Sequence, residues 1–494
     1  MTDKMFMVLG TILIDYYKNK SEKSDKTITQ QEEKIAQQKE RIEQLEAENK
    51  QLKELLEGKA ESKAAKKPVF TENYSLDKNK RKRKRRKKST GRRRHELKRD
   101  MTQDQYDIYW QNANPDACVL RREQFAWRII DGKALYIGYN IYDVPNSKEL
   151  PLPSGLRNSR SEYGIEIILI LAFLHYFVGV SIDKARDIMQ FFLGLDLSKS
   201  QADSLLSQLA ADWNEQYDTI TELIALSLIV YIDETGWKVG KKSCYTWVFS
   251  TAMHVLFSCG VGRSKTEAEK ILGPLFAGIG VTDDYCAYKK LFTEHQLCWA
   301  HLIRKAIKLA LQHPEEKQYA TFLDELFSIY QEAVRYQKDG RLSIGRAQKA
   351  LDLQEKIHSL CTRHGETIDE DTMPDREATF IRLQNELVDN VDCLFVFVEH
   401  PQVEPTNNRS ERNVRCEAEI RKGGRTSKSE IGARRRSIIM TVLMSLRTRF
   451  TKFTLNTLLL EVEQWVEQGY SIFERELAEL KMANAPPSGQ TVSF

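Results

Sequence analysis

The chain has 494 residues, of which 41% are hydrophobic and 29% are charged, and its formal net charge is +5 at pH 7. This length exceeds what one ordinary hydrophobic core accommodates and predicts three or four folded units. Eight cysteines are scattered without a C-x-x-C pair, which excludes a disulfide-stapled secreted domain and indicates a reducing compartment, the cytoplasm.

Two apolar stretches bear on the alternative of a membrane protein. The N-terminal stretch holds only about ten apolar residues before Asp15, which is short for a membrane-spanning helix. The second stretch, from Ile165 to Val180, is longer but contains Glu166 and His175. It predicts a buried helix, and we expect no membrane partner.

Residues 1–70 contain a heptad pattern. One row of positions seven apart holds Ile28, Ile35, Ile42, Asn49 and Leu56, and the row three residues behind holds Gln31, Gln38, Leu45 and Leu52. Isoleucine in one row, leucine in the other and a single Asn predict a two-stranded parallel coiled coil, and therefore a homodimer. A single amphipathic helix that docks on the body of the protein is the alternative.

A polybasic run follows within residues 71–100. The 17 residues from Lys78 to Arg94 include 13 Lys or Arg and no acid, which leaves a net charge of −8 for the rest of the chain. Such a run cannot fold on itself and predicts a disordered polycation that binds DNA or RNA. A solvated linker or a localisation tract is the alternative.

A β-hairpin region is predicted for residues 101–160. A helical region is predicted for residues 161–222. In the first, Asp131-Gly132 separates two β-rich runs between Phe125 and Pro145. In the second, Ser198 or Ser200 is placed to cap a helix after a turn, as in a helix-turn-helix that binds DNA. The same pattern occurs in plain helical bundles.

The remaining chain predicts an α/β unit interrupted by helices. Strands begin at residue 223 and continue to 301, residues 302–390 are helical, and "CLFVFVEHP" (393–401) is predicted to return to β structure. Thr406 is expected to cap a helix in the last part of the core, 391–450. A helix and a tail fill 451–494.

Three acids occupy related places in this pattern. Asp233 ends the first strand, Asp283 ends a later strand, and Glu411 lies in the first turns of the helix after Thr406. An RNase H-like fold, a mixed sheet with flanking helices, brings such positions together, and three carboxylates suit two Mg²⁺ or Mn²⁺ ions. The structural alternative makes Asp233 a strand-end cap and Glu411 a partner of Arg415. The neighbouring Glu234 and Asp284 are expected to point away, since side chains alternate along a strand.

Four blocks, "YIDETGW", "VTDDYCAY", "CWAHLIRKA" and "PTNNRSERNVR", resemble those of the insertion sequence 66 family of bacterial DDE transposases, over residues 161–446. The resemblance implies that Asp233, Asp283 and Glu411 form the catalytic triad. It also implies double-stranded DNA as substrate and accessory proteins encoded beside the gene. Within "CWAH", it implies that Cys298 and His301 shape the site.

Zinc is not expected, because a second C-x-x-H pair, Cys361 and His364, lacks supporting context. Basic residues are dense around Glu411, with 12 Lys or Arg against four acids from Arg409 to Arg449. These residues and the helix after "CWAH" predict contacts to DNA phosphates. The candidates are Arg304, Lys305, Arg412, Arg415, Arg421, Lys422, Arg425, Arg434, Arg435 and Arg436.

One departure from the resembled family concerns DNA-end recognition. Many of its members carry a cysteine-rich zinc ribbon where this chain has the Phe125 to Pro145 hairpin and only Cys118. The hairpin is therefore predicted to be a metal-free ribbon. Two alternatives to a transposase stay open: an inactive, transposase-derived DNA-binding oligomer, and a nuclease that cuts without joining.

Overall fold

The computed structural model describes residues 101–105, 119–142, 152–288, 290–363 and 375–483. The predicted coiled coil and the polybasic run lie outside these ranges. Within them, no helix combines the length and apolar character needed to cross a membrane.

A three-stranded sheet comes first in the chain. Its strands are β1 (Met101–Gln105), β2 (Leu120–Ile130) and β3 (Lys133–Tyr142), in the order β1-β3-β2. The predicted hairpin is confirmed, because β2 and β3 pair antiparallel across Asp131 and Gly132. Both turn residues have positive φ, 51° and 75°, which is what a tight two-residue hairpin turn requires.

Four helices follow. The first of them lies in the stretch from Ile165 to Val180 that is predicted to form a buried helix. They are α1 (Ile165–Ala172), which continues as a π-helical turn (Phe173–Phe177), α2 (Ile182–Leu193), α3 (Lys199–Asp212) and α4 (Asn214–Ala225). Gly194 ends α2 in the left-handed conformation, and Ser198 caps α3 through a capping box with Gln201. The helices continue to Ala225, past the predicted boundary at 222.

The main sheet has five strands. They are β4 (Ile229–Val239), β5 (Lys242–Ser250), β6 (Val255–Val261), β7 (Phe276–Thr282) and β8 (Phe292–Leu297), with helix α5 (Lys265–Leu272) before β7. The order is β6-β5-β4-β7-β8, with β4, β5 and β6 antiparallel and β4, β7 and β8 parallel. The chain is thus a mixed α/β protein with a mixed sheet.

The central strand β4 has two different neighbours along its length. It pairs with β7 only from Ile229 to Tyr231 but with β5 as far as Val239. Asp233 therefore lies inside a long strand, two residues after the parallel pairing stops, and the prediction that Asp233 ends the strand is wrong. On the side of β4 that faces β7, Asp233 still has no paired strand residue.

A second group of helices follows β8 and encloses its own apolar cluster, which includes Phe322, Leu353 and Leu383. These helices are α6 (Trp299–Gln312), α7 (Lys317–Lys338), α8 (Ser343–Arg363), α9 (Asp375–Asp389) and the short α10 (Val396–Glu399). The predicted β structure at 393–401 is wrong. Phe395, Phe397 and Val398 are all fully buried, so the segment shows no one-sided pattern to separate helix from strand.

The last helices are α11 (Asn408–Lys422), α12 (Glu430–Arg449), α13 (Leu455–Gln468) and α14 (Ile472–Ala483). The N-cap of α11 is Asn407, which corrects the expectation that Thr406 caps it. Two helices, rather than the single predicted one, occupy the region after residue 451.

Helix α12 packs along β6, an edge strand of the main sheet. Three of its hydroxyl groups, four residues apart, accept hydrogen bonds of 2.9–3.0 Å from alternate backbone N–H groups of β6: Ser437 from Cys259, Thr441 from Phe257, and Ser445 from Val255. Four helical residues rise about 6 Å, and two strand residues rise about 6.6 Å, so the two spacings match. Gly260 permits the approach, because a Cβ there would lie 2.8 Å from the Cβ of Ala433.

Candidate active site

The three predicted acids are presented by three different elements. Asp233 lies in β4, and its Oδ1 accepts a 2.8 Å hydrogen bond from the N–H of Glu234. Asp283 directly follows β7, and its Oδ1 accepts a 3.1 Å bond from the N–H of Tyr285, which fixes the turn after the strand. Glu411 lies in the first turn of α11.

The surroundings of Asp233 raise its pKa. Burial, together with the nearby carboxylates of Glu234, Asp283 and Glu411, raises the pKa of Asp233 to about 8. Asp283 and Glu411 thus each lie within electrostatic reach of Asp233, although all three are far apart in the sequence. Without a cation, Asp233 holds its proton at neutral pH.

The donor set fits a hard divalent cation. Carboxylate oxygens are the ligands that Mg²⁺ and Mn²⁺ prefer, and a positive charge at this site offsets the repulsion that raises the pKa of Asp233. Asp233, Asp283 and Glu411 are the residues that would hold it. Binding would release the proton of Asp233.

Cys298 and His301 lie beside Glu411, where the resemblance places them. The Sγ of Cys298 is 4.0 Å from Glu411 Oε1, and the Nδ1 of His301 is 3.6 Å from the same oxygen. Potential ligand atoms of these three residues all lie within 4.8 Å of one another. Burial raises the pKa of the Cys298 thiol. Cys361 is buried, and His364 lies outside the described residues.

Glu234 is close to the site but already paired, and sequence reasoning missed its partners. It accepts hydrogen bonds of 2.8 and 3.0 Å from Arg263 and one from the hydroxyl of Tyr288. The Arg263 guanidinium lies 3.9 Å from the ring centre of Tyr285. This network holds the loop after Asp283 against β4. The sequence alone does not indicate that Glu234 pairs with Arg263 and Tyr288, because these residues are far apart in the chain and match no motif.

Two basic residues of α6 lie next to the acids. Arg304 donates to both oxygens of Glu411, at 3.1 and 3.4 Å, and its side chain is 55% exposed. Lys305 pairs with Glu386, with one Nζ–Oε2 distance of 2.6 Å. Lys305, Asp283 and His301 line the same cleft of about 290 Å³.

The other predicted DNA-binding residues divide into two groups. Arg412, Arg415 and Lys422 are exposed on α11. The others contact the protein itself: Arg421 donates to Gly236 O, Arg425 to Gly179 O, Arg434 to Asn214 and Asp218, and Arg435 to Asp203 and Ser207. Their contacts fix the ends of α11 and α12 against the neighbouring strands and helices.

The prediction of a DNA contact at Arg436 is wrong. This residue is 5% exposed, and its guanidinium forms two hydrogen bonds, of 2.7 and 2.8 Å, with the fully buried Glu417. Neighbouring carboxylate and thiol groups raise the pKa of Arg436 despite its burial, so its guanidinium stays charged. Arg436 therefore stabilises the packing of α12 on α11.

Sequence reasoning also missed Asn407. This residue is 1% exposed, and its Nδ2 donates a 2.6 Å hydrogen bond to the carbonyl of Ile232, the residue before Asp233. Its only signal in the sequence was membership of the "NNRSER" block that contains Glu411.

Comparison with known proteins identifies the family. No curated protein matches the chain. A family description, Transposase IS66 family, matches residues 160–435, which is more than half of the chain and contains all three acids. The resemblance seen in the four sequence blocks is therefore confirmed, and the chain belongs to the IS66 family of transposases.

Proposed function

We propose that this protein is a metal-dependent DNA transposase that cuts the ends of a mobile element and joins the freed 3′-hydroxyls to target DNA. The observation that supports the proposal is the raised pKa of Asp233, to which burial and the carboxylates of Glu234, Asp283 and Glu411 contribute. The sheet supports an RNase H-like core, since β4 is central, with antiparallel β5 and β6 on one side and parallel β7 and β8 on the other.

The acids are proposed to hold two Mg²⁺ or Mn²⁺ ions. When bound, such ions activate an attacking water or 3′-hydroxyl and stabilise the leaving oxygen of a phosphodiester. Asp233 would give up its proton as the site fills, because a bound cation would offset the burial and the three neighbouring carboxylates that raise its pKa to about 8. Asp283 is oriented by the N–H of Tyr285, and Glu411 by the first turn of α11.

Positive side chains beside the acids are proposed to place the DNA backbone. Arg412 and Arg415 are exposed on the helix that carries Glu411. Arg304 neutralises Glu411 in the absence of a metal and becomes available to a phosphate once the carboxylate binds the ion. These contacts would position DNA without reading its sequence. A dimer, accessory proteins and a cytoplasmic location complete the proposal.

The test compares the wild type with Glu411→Gln, using purified protein, its own element ends, a plasmid target and Mg²⁺. The matched control is Glu419→Gln, an exposed acid on the same helix. Joined products from the wild type and Glu419→Gln, but not from Glu411→Gln, support the proposal. Cutting without joining indicates a nuclease. DNA binding without either product, even with Mn²⁺, indicates an inactive DNA-binding protein.

A further inference from the structure

Asn407 occupies an unusual position at the start of α11. Asparagine is a favoured N-cap because its side chain can accept a hydrogen bond from the helix backbone. Here Asn407 is the N-cap residue, yet its side chain makes no capping hydrogen bond. It is directed to another element instead, and it is almost fully buried.

Asn407 forms three hydrogen bonds with residues at or near the three acids. Its Nδ2 donates to the carbonyl of Ile232 at 2.6 Å, next to Asp233. Its backbone N–H donates to the Sγ of Cys298 at 3.1 Å. Its carbonyl accepts the backbone N–H of Glu411 at 3.0 Å.

The link through Cys298 continues to the second acid. The backbone N–H of Cys298 donates to the carbonyl of Thr282 at 2.8 Å, and Thr282 directly precedes Asp283. One buried residue is therefore joined, directly or through Cys298, to the residue before Asp233, the residue before Asp283, and Glu411 itself.

The side-chain bond supplies what the sheet lacks at this point. Parallel pairing of β4 with β7 stops at Tyr231 and Val281, so no β7 residue pairs with Ile232. The amide of Asn407 binds the Ile232 carbonyl and thereby fixes α11 to β4 at the place where the strands separate. Asn407 Oδ1 is buried and has no hydrogen-bond partner among the described residues. Burying such an oxygen is unfavourable, and an apolar side chain would pack here without that cost. Packing alone therefore does not explain a polar side chain at this position.

We infer that Asn407 is a positioning residue that sets the separation of the three carboxylates and thereby the affinity of the site for divalent cations. The inference rests on the proposed function, because it assumes that these acids hold the metal. Partners that orient metal ligands typically contribute about 10- to 100-fold to metal affinity. We therefore expect Asn407→Ala to weaken Mn²⁺ binding about tenfold.

The experiment measures Mn²⁺ binding to the full chain without DNA, by electron paramagnetic resonance of free Mn²⁺, with urea denaturation in parallel. Asn408→Ala is the matched control, because Asn408 is the adjacent, exposed residue of the same type. The expected result is weaker binding by Asn407→Ala and unchanged binding by Asn408→Ala. Equal binding by both variants and the wild type, or equal weakening in both, overturns the inference.

A second pair of variants applies if Asn407→Ala does not fold. Cys298→Ser keeps an acceptor for the Asn407 N–H, whereas Cys298→Ala removes it. We expect Cys298→Ala to bind Mn²⁺ more weakly than Cys298→Ser. Equal binding by the two overturns the inference.

Glu411→Gln separates the two proposals. If Glu411→Gln binds Mn²⁺ as tightly as the wild type, the carboxylate site is wrong and both proposals fail. If Glu411→Gln loses Mn²⁺ while Asn407→Ala retains it, only the role of Asn407 is wrong.

Discussion

Replacing Asp233 by asparagine should stabilise the metal-free protein at high pH. In the folded state the pKa of Asp233 is raised from 3.8 to about 8, so folding favours the protonated carboxyl. A group with a raised pKa supports folding below its unfolded pKa and loses that support as the pH rises through its folded pKa. At about 1.4 kcal/mol per pH unit, the ionised carboxylate costs of the order of 5 kcal/mol above pH 8. The neutral amide in Asp233→Asn avoids this cost, and its Oδ1 can still accept the N–H of Glu234.

The assay is urea denaturation of both proteins in EDTA, followed by tryptophan fluorescence, at pH 5 and pH 9. We expect Asp233→Asn to be more stable at pH 9 by several kcal/mol and by about 1–2 kcal/mol at pH 5. Added Mg²⁺ should raise the stability of the wild type only, since the variant lacks a ligand. Asp187→Asn, at an exposed position, is the control. An advantage that is absent at pH 9, or equal at both pH values, refutes the reasoning.

Two further predictions concern the arginines beside and behind the site. Arg304→Ala should strengthen Mn²⁺ binding in the absence of DNA by up to about fivefold, because an exposed ion pair contributes about 0.2–1 kcal/mol. The affinity is measured by calorimetric titration. Unchanged affinity would mean that Arg304 does not compete with the metal for Glu411. Arg436→Met should destabilise the protein by about 3–5 kcal/mol in urea, since Glu417 is then left buried and unpaired, and the double variant with Glu417→Leu should recover most of the loss.

The sequence predicts much of the main sheet because long β-prone runs are a pattern that one sequence displays. The Asp131-Gly132 pair marks the hairpin turn between β2 and β3. The family resemblance was also readable from the four sequence blocks, of which "CWAHLIRK" and "NNRSER" are the most distinctive.

The errors arise where a pattern is compatible with more than one structure. Residues 394–398 are all apolar and buried, so the segment lacks the alternation of buried and exposed positions that separates a helix from a strand. Local charge density does not show which arginines are exposed: Arg412 is exposed and Arg436 is buried, although both lie in the same basic region. The partner of Asn407 is 175 residues away in the chain, beyond the reach of spacing arguments.

The hydroxyl row on α12 has a consequence for how copies of this protein can associate. An exposed edge strand presents unpaired N–H groups that invite a strand from another molecule. Here the N–H groups of Val255, Phe257 and Cys259 are already satisfied by Ser445, Thr441 and Ser437. A second copy could extend the sheet past β6 only by displacing α12. Self-association on this side of the sheet must therefore proceed through side-chain surfaces and not through the pairing of strands.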